Sequence, residues 1–327
     1  MSSKTIEVEH LSKVYGSTMA IEDIHFSVNA GEIIGFLGPN GAGKTTTLRI
    51  LTGCLAATTG TAKIAGYDVH LYSMQVRRLI GYLPEILPLY PNMSVKQYLH
   101  FVAKIKGVKA KNRRRQVCKA MTRCQLIDRE NTIIRKLSKG YRQRVGIAQA
   151  IVHQPSVIIL DEPTVGLDPR QIIEVRNLIK SLAGEHTIIL STHILPEANT
   201  LCDRVVIIDR GKVVTTNTPA NLMAQLEVSC GYEVEVSGDI EAILPFLSKI
   251  SGIINASSES DFNANDSKRH LLKITYKYMS EPGKDIARLI VEHGLELHEL
   301  RRTRPSLEDI FLELTTEELS TIEVNRA

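Results

Sequence analysis

The chain of 327 residues carries 40 Lys and Arg against 36 Asp and Glu, a net +4, with 43% hydrophobic and 23% charged side chains. That length suits two domains, the composition is that of an ordinary globular protein, and so mild a positive balance does not by itself make a nucleic-acid binder. The start, "MSSKTIEVEH", lacks the apolar run of a signal peptide, and nowhere do 18 apolar residues follow one another, so a task at a membrane calls for a partner that supplies the spanning helices. Five cysteines without a C-x-x-C pair fit a reducing cytosol, with Cys54 or Cys202 as small buried hydrophobes.

From residue 1 to about 220, short apolar strands alternate with helices. "EIIGFL" reads as a buried strand and "TLRILTG" as a helix, and between them stands "GPNGAGKTT". Gly38, Gly43, Lys44 and Thr45 fit G-x-x-x-x-G-K-[ST], the phosphate loop, in the strand, loop, helix context that this motif needs. Gly38, Gly41 and Gly43 reach backbone angles closed to other residues, so the loop Gly38, Pro39, Asn40, Gly41, Ala42, Gly43 and on to Thr46 can wrap phosphate oxygens, every residue but Pro39 offering an N–H. The start of the following helix adds partial positive charge. Lys44 is expected to reach the terminal phosphates of a nucleotide, and the Thr45 hydroxyl to ligand a bridging Mg2+.

Residues 88–150 carry few strand signals and read as a helical insertion. Its cluster Arg113, Arg114, Arg115 suits RNA or anionic lipid, but no aromatic interleaves the charges, and a solvated helix face is the favoured reading. "SVIILDEP" and "HTIILST" are strands with the helical "QIIEVRNLIKSL" between them, which argues for a parallel, helix-flanked sheet. At the end of the first of these strands, Asp161 can hold Mg2+ through a water while Glu162 orients and deprotonates an attacking water. "DRVVIIDRGKVV" reads as a hairpin turning at Arg210 and Gly211. Past residue 220 the order strand, helix, strand, strand, helix, strand is the ferredoxin-like arrangement, with "ESDFNANDSK" as a long hairpin loop. "PSLEDIFLELT" then begins a helix capped by Pro305 and Ser306, with Leu307, Ile310, Phe311 and Leu314 on one face. No glycine loop or nucleophile constellation stands in this part, whose expected role is contact or regulation.

A phosphate loop alone leaves kinases, GTPases, helicases and transport ATPases open, and no N-K-x-D motif of GTPases is present. "LSKGYRQRVGIAQAI" just upstream of "VIILDEP", then "VGLDP", then "STHIL", with "VYG" near the start, make the chain resemble the ATP-binding subunit of an ABC transporter over nearly its whole length. The resemblance implies an α/β P-loop NTPase domain of the ABC type over residues 1–220, with a helical subdomain at about 88–150. A smaller α+β, ferredoxin-like domain follows over 221–327. It implies ATP and Mg2+ as cofactors, Tyr15 stacked on adenine, and His193 as the switch histidine on the γ-phosphate. It also implies a head-to-tail homodimer in which Ser138 and Gly140 of one copy reach the nucleotide of the other, with Asp168 crossing the interface. A separate membrane permease is the implied partner, which puts the subunit on the cytoplasmic face of the membrane, and no nucleic acid is expected.

Two departures stand out. Glu85 occupies the position of the family's Q-loop glutamine; a carboxylate there can still ligand Mg2+ but adds negative charge beside phosphates. The usual L-S-G-G-Q appears as "LSKGY". With the tail "ELRRTRPSLEDIFLELT", these features look like the family's exporter branch, which includes gliding-motility, copper-processing and antibiotic-resistance subunits. Two rival readings stay open at this point: a soluble ABC ATPase acting on ribosomes or DNA, and a nucleotide-dependent scaffold with little turnover. The transported substrate is not legible here.

Overall fold

A computed structural model describes residues 4–225, 230–238, 240–259, 269–276 and 280–303. The chain divides between Pro219 and Ala220 into two compact units. Among the described residues, no helix is long and apolar enough to cross a membrane.

The first unit opens with two long strands, β1 (Lys4–Tyr15) and β2 (Thr18–Asn29), and continues through β3 (Ile33–Leu37), α1 (Lys44–Leu51), β4 (Thr59–Ile64), β5 (Tyr67–Asp68), α2 (Ser73–Leu79) and β6 (Ile80–Leu83). The helical segment follows as α3 (Val95–Ile105), α4 (Ala110–Arg123) and α5 (Lys139–Ile151). Then come β7 (Val157–Asp161), α6 (Pro169–Leu182), β8 (Thr187–Thr192), α7 (Leu195–Leu201), β9 (Arg204–Asp209) and β10 (Lys212–Asn217), after which α8 (Pro219–Gln225) starts at the boundary and leads into the second unit.

Two sheets result. The central one has the order β10-β9-β3-β8-β7-β6, parallel throughout except for β10, which returns antiparallel from β9. Every residue of β3, β7 and β8 is buried, as expected of parallel strands covered on both faces. The second sheet, β2-β1-β4-β5, is antiparallel, and the alternation of strands and helices read from the sequence did not anticipate it. Ile6, Val8, Ile21 and Phe26 from this sheet share one core with Ile34, Phe36 and Ile159 of the central sheet. Each such side chain contributes about 1.5–3 kcal/mol by leaving water.

The hairpin β9–β10 turns at Arg210 and Gly211, both left-handed (φ 43° and 81°), the two-residue turn that matches strand twist. Cys202 is buried against Gly35, where a Cβ would come within 2.8 Å of its Sγ. Cys54, expected as a buried hydrophobe, is instead exposed just beyond the end of α1. The helix α5 is clamped to the sheet at its C-terminal end. Gln149 Nε2 donates to Tyr82 O at 2.7 Å and His153 Nε2 to Ile80 O at 3.1 Å. Gly81 lets the strand approach so closely that a Cβ there would meet Ala150 O at 2.1 Å.

The second unit runs β11 (Cys230–Ser237), α9 (Ile240–Leu247), β12 (Ile253–Glu259), β13 (Arg269–Tyr276), α10 (Gly283–Glu292) and β14 (Glu296–Thr303). Its sheet order is β12-β13-β11-β14, with every neighbouring pair antiparallel. Alternate residues Tyr232, Val234 and Val236 point into a separate core with Ile243, Leu272, Ile274, Ile286 and Ile290. The expected loop at "ESDFNANDSK" and helix at "PSLEDIFLELT" lie outside the described residues, apart from the end of β12.

Candidate active site

The carboxyl ends of β3, β7 and β8 meet at one edge of the central sheet, and the phosphate-loop segment leaves β3 there. Gly43 caps α1 in a left-handed conformation (φ 106°), where a Cβ would collide with Ile21 at 2.6 Å. Gly38 passes so close to Ile208 O that a Cβ would lie 2.3 Å from it. Only glycine fits these two positions. The first-turn N–H groups of α1 have no acceptor within the helix and remain available to an anion.

Lys44 is almost fully buried. Its Nζ donates to Gly38 O at 2.7 Å and Pro39 O at 3.1 Å, and lies 3.8 Å from Glu162 Oε1. Burial holds its pKa below the usual lysine value, partly offset by the negative charges of Glu162, Asp161 and Glu85.

At the end of β7 the chain bends sharply. Glu162 takes a left-handed conformation (φ 50°), uncommon for a residue with a Cβ and worth about 1–2 kcal/mol of strain. Its N–H is held by Ser191 O at 3.2 Å and Ser191 Oγ at 3.1 Å on the neighbouring strand β8. The bend separates the two adjacent carboxylates. Asp161 stays at the strand end, 1% exposed, with Oδ1 accepting from Ser191 Oγ at 2.5 Å. Glu162 lines the cleft, and its Oε2 accepts from His193 Nδ1 at 2.9 Å.

These residues enclose a cleft of about 730 Å³, within the size range of small-molecule sites. It is lined by Asn40, Gly41 and Gly43 to Thr46 of the phosphate loop and α1, by Glu85, Glu162, Val165 and His193, and by Thr18, Met19, Ala20 and Arg210. Gly38, Pro39 and Ala42 do not line it, and the first two accept from Lys44. Tyr15 does not line this cleft. It ends β1 paired with Thr18, half-exposed, with Lys13 Nζ 5.3 Å from its ring centre.

Ser138, Gly140 and Asp168 form a separate group. Ser138 caps α5, its Oγ accepting from Tyr141 N at 3.4 Å, and Asp168 caps α6, its Oδ1 accepting from Gln171 N at 2.9 Å. A Cβ on Gly140 would meet Gln171 Oε1 at 2.6 Å, and the Lys139 ammonium lies directly over Gly166. The helix α5 thus starts at Lys139, three residues before the "RQRVGIAQAI" read from the sequence. None of the three residues lines the phosphate-loop cleft. A neighbouring cleft of about 570 Å³, between Glu85 to Leu89 and Lys139 to Gln143, shares Glu85, Glu162 and Val165 with it.

Sequence reasoning missed Arg210, Thr18, Met19 and Ala20. The hairpin turn was legible, but what carries Arg210 to the cleft is docking: Gly211 N donates to Ala42 O at 3.0 Å, and Gly211 O accepts from Glu22 N at 2.8 Å.

Comparison with known proteins agrees with this geometry. Residues 21–165 match the family described as ABC transporter. The bacitracin transport ATP-binding protein BcrA of Bacillus licheniformis is 34% identical over 317 residues, covering 95% of this chain and 97% of that protein. The Nod factor export ATP-binding protein I of Ralstonia nicotianae is 32% identical over 325 residues, covering 97% and 96%. A solved structure of the ATP-binding subunit of an ABC transporter matches with a TM-score of 0.62 at 32% identity, covering 68% of this chain and 92% of that one. The match to these relatives runs through both units, and this chain belongs to the ATP-binding subunits of ABC transporters, P-loop ATPases that bind and hydrolyse ATP.

Proposed function

We propose that the chain powers export through a separate membrane-spanning permease, with ATP closing a homodimer and hydrolysis reopening it. The observation that carries the hydrolytic half is Glu162, bent into the cleft by its left-handed backbone and gripped by Ser191 and His193. With Oε2 fixed by His193, Oε1, which accepts no hydrogen bond among the described residues and has Lys44 Nζ 3.8 Å away, is the oxygen to take a proton from water as that water attacks the γ-phosphorus. The bond to the β-bridging oxygen breaks and ADP departs with the electron pair. Lys44 and the first-turn N–H groups of α1 balance charge on the phosphates.

The residues present fit a magnesium ion. Asp161 Oδ2 is buried without a hydrogen-bond partner, and the hydroxyl of Thr45 and the carboxylate of Glu85 both line the cleft. Thr45, Asp161 and Glu85 are the proposed holders, directly or through water, and the ion supplies charge neutralisation on the phosphates.

Ser138 and Gly140 stand at the start of α5, outside the cleft of their own chain, which supports a second copy as the recipient of their contacts, with Asp168 crossing beside them. Arg210 adds a cation to the lining of the cleft. Tyr15, at the rim, is proposed to reach adenine only from outside the present cleft lining. Export, rather than work on ribosomes or nucleic acid, is supported by full-length relatives named for bacitracin transport and Nod factor export. On this reading the subunit is peripheral on the cytoplasmic face, held there by the permease. The order β12-β13-β11-β14 of the second unit's sheet, with α9 and α10 in the same core, supports the ferredoxin-like reading of residues 221–327 and a role in contact or regulation.

The test is phosphate release by the full chain with ATP and Mg2+. Glu162→Gln is expected to lower turnover at least 100-fold while ATP binding persists and a dimer accumulates in size-exclusion chromatography. Turnover at the unsubstituted rate would remove Glu162 from the role of base, and absent turnover in the unsubstituted chain would favour a nucleotide-gated scaffold.

A further inference from the structure

Charge is distributed unevenly along this chain. Residues 86–127 contain ten Lys and Arg and not one Asp or Glu, so the remaining chain, with 30 cationic against 36 anionic residues, is net negative although the whole is +4. Six of the ten stand on α4, whose apolar face, Val117, Ala120 and Met121, is buried.

The outward face of α4 is one continuous stripe. Lys111, Arg114, Arg115, Cys118, Lys119 and Thr122 are all exposed and fall at the helical spacing i, i+3, i+4, i+7, i+8, i+11. Together with Arg123 they line a shallow groove of about 610 Å³. The other two cations of the helix are occupied: Arg123 pairs with Glu185, and Arg113 donates to Val108 O at 3.1 Å. Among the described residues no acid neutralises Lys111, Arg114, Arg115 or Lys119.

Holding four like charges together on about 12 Å of helix costs self-repulsion that any anionic surface relieves. The stripe favours one kind of surface. Single-stranded nucleic acid calls for aromatic platforms, and α4 has none. A protein partner calls for an apolar anchor at the centre of the patch, where the stripe offers only Cys118 and Thr122. A row of long cationic side chains on a shallow face suits a plane of phosphates, which needs charge and reach but no pocket.

We propose that the exposed face of α4 is an electrostatic docking surface for anionic phospholipid headgroups. It would hold the subunit against the bilayer in addition to its permease contacts. This rests on the proposed function only in placing the chain beside a membrane.

The experiment is co-sedimentation of the full chain, without nucleotide or permease, with vesicles of phosphatidylcholine alone and of phosphatidylcholine and phosphatidylglycerol at 3:1. Binding to the anionic vesicles is expected at low salt, falling steeply as salt rises. Each charge removed weakens it by about fivefold. The variant Lys111→Gln, Arg114→Gln, Arg115→Gln, Lys119→Gln is therefore expected to lose at least fiftyfold. A charge-matched control with Lys4, Arg78, Lys180 and Lys284 changed to Gln is expected to bind as the parent does. Both variants spare the buried face of α4, and an unchanged rate of phosphate release shows that each has folded. Equal binding to neutral vesicles, equal loss in the control, or capture of a single-stranded RNA in preference to anionic vesicles would overturn the proposal. Because hydrolysis is read separately, failure here leaves the ATPase reading standing, and failure of hydrolysis leaves vesicle binding to be judged by itself.

Discussion

The two ends of the nucleotide machinery are built to the same standard and finished differently. At the phosphate-loop end, side chains from β3, β7, β8 and the β9–β10 hairpin converge on one cleft, and each is held by a neighbour: Lys44 by loop carbonyls, Glu162 by Ser191 and His193. At the α5 end the framework is equally firm, with a serine cap at Ser138, a tight approach at Gly140 and a clamp to β6 at Gln149 and His153. Yet Ser138 and Gly140, at the start of that helix, do not line the phosphate-loop cleft of their own chain. On the function proposed above, a firmly held helix start outside its own cleft is half a site, to be completed by a second copy.

Mixing two defective chains is the strongest way to break that comparison. Lys44→Ala removes the lysine from the cleft and Ser138→Arg blocks the start of α5; each variant by itself is expected to release phosphate at least 100-fold more slowly than the parent. In an equal mixture, half the dimers carry one copy of each. Each of these has one site made from an intact loop and an intact helix start, so about a quarter of the parent activity should return if one site can turn over. Under the alternative, in which α5 serves the cleft of its own chain, mixing restores nothing.

How much of this arrangement was legible in the sequence follows the range of the forces involved. The phosphate loop, the buried strands β3, β7 and β8, and the turn at Arg210 and Gly211 were readable because each depends on a few adjacent residues: glycine where φ is positive, β-branched runs where both faces are covered. The pairing of β1 with β4 was not, since it depends on register between segments more than 40 residues apart, from Ser12 with Thr59 to Ile6 with Ile64. Strand-end geometry likewise put Thr18, Met19 and Ala20 on the cleft wall while Tyr15 stayed at the rim. Cys54 was misplaced because its sequence neighbours are apolar, whereas the turn after α1 lifts it into solvent.

A smaller effect should sharpen the comparison at the clamp that fixes α5. His153 donates through Nε2 to Ile80 O, while its Nδ1 is buried without a partner, so the ring is held neutral and burial pushes its pKa down to about 4. His186, which shares hydrogen bonding with Pro155 O, is lowered as well, chiefly by burial. A histidine whose folded pKa lies below its unfolded value leaves the unfolded state richer in protons. Its stabilising contribution is therefore complete above pH 6.5 and lost as pH falls from there towards 4, up to about 3 kcal/mol for His153. Urea unfolding should show a lower midpoint at pH 5 than at pH 7.5, and His153→Gln should shrink that difference. An equal difference in the variant would detach His153 from the acid sensitivity of the clamp.

The smallest expected effect belongs to Arg210, and it tests whether the cleft wall is as complete as it looks. Its guanidinium is about half exposed, 3.6 Å from Asp209, so a contact with phosphate or ribose there is screened and worth about 1 kcal/mol. Arg210 also occupies a left-handed turn position, and a simple truncation to alanine would leave strain and lost contact entangled. Asparagine tolerates that conformation, so Arg210→Asn keeps the turn while removing the charge. The expected result is a KM for ATP raised about fivefold with kcat unchanged, the mark of a group that binds substrate and transition state alike. A fall in kcat at constant KM would mean instead that the hairpin serves the cleft through Gly211 and its bonds to Ala42 and Glu22, with the arginine merely covering them.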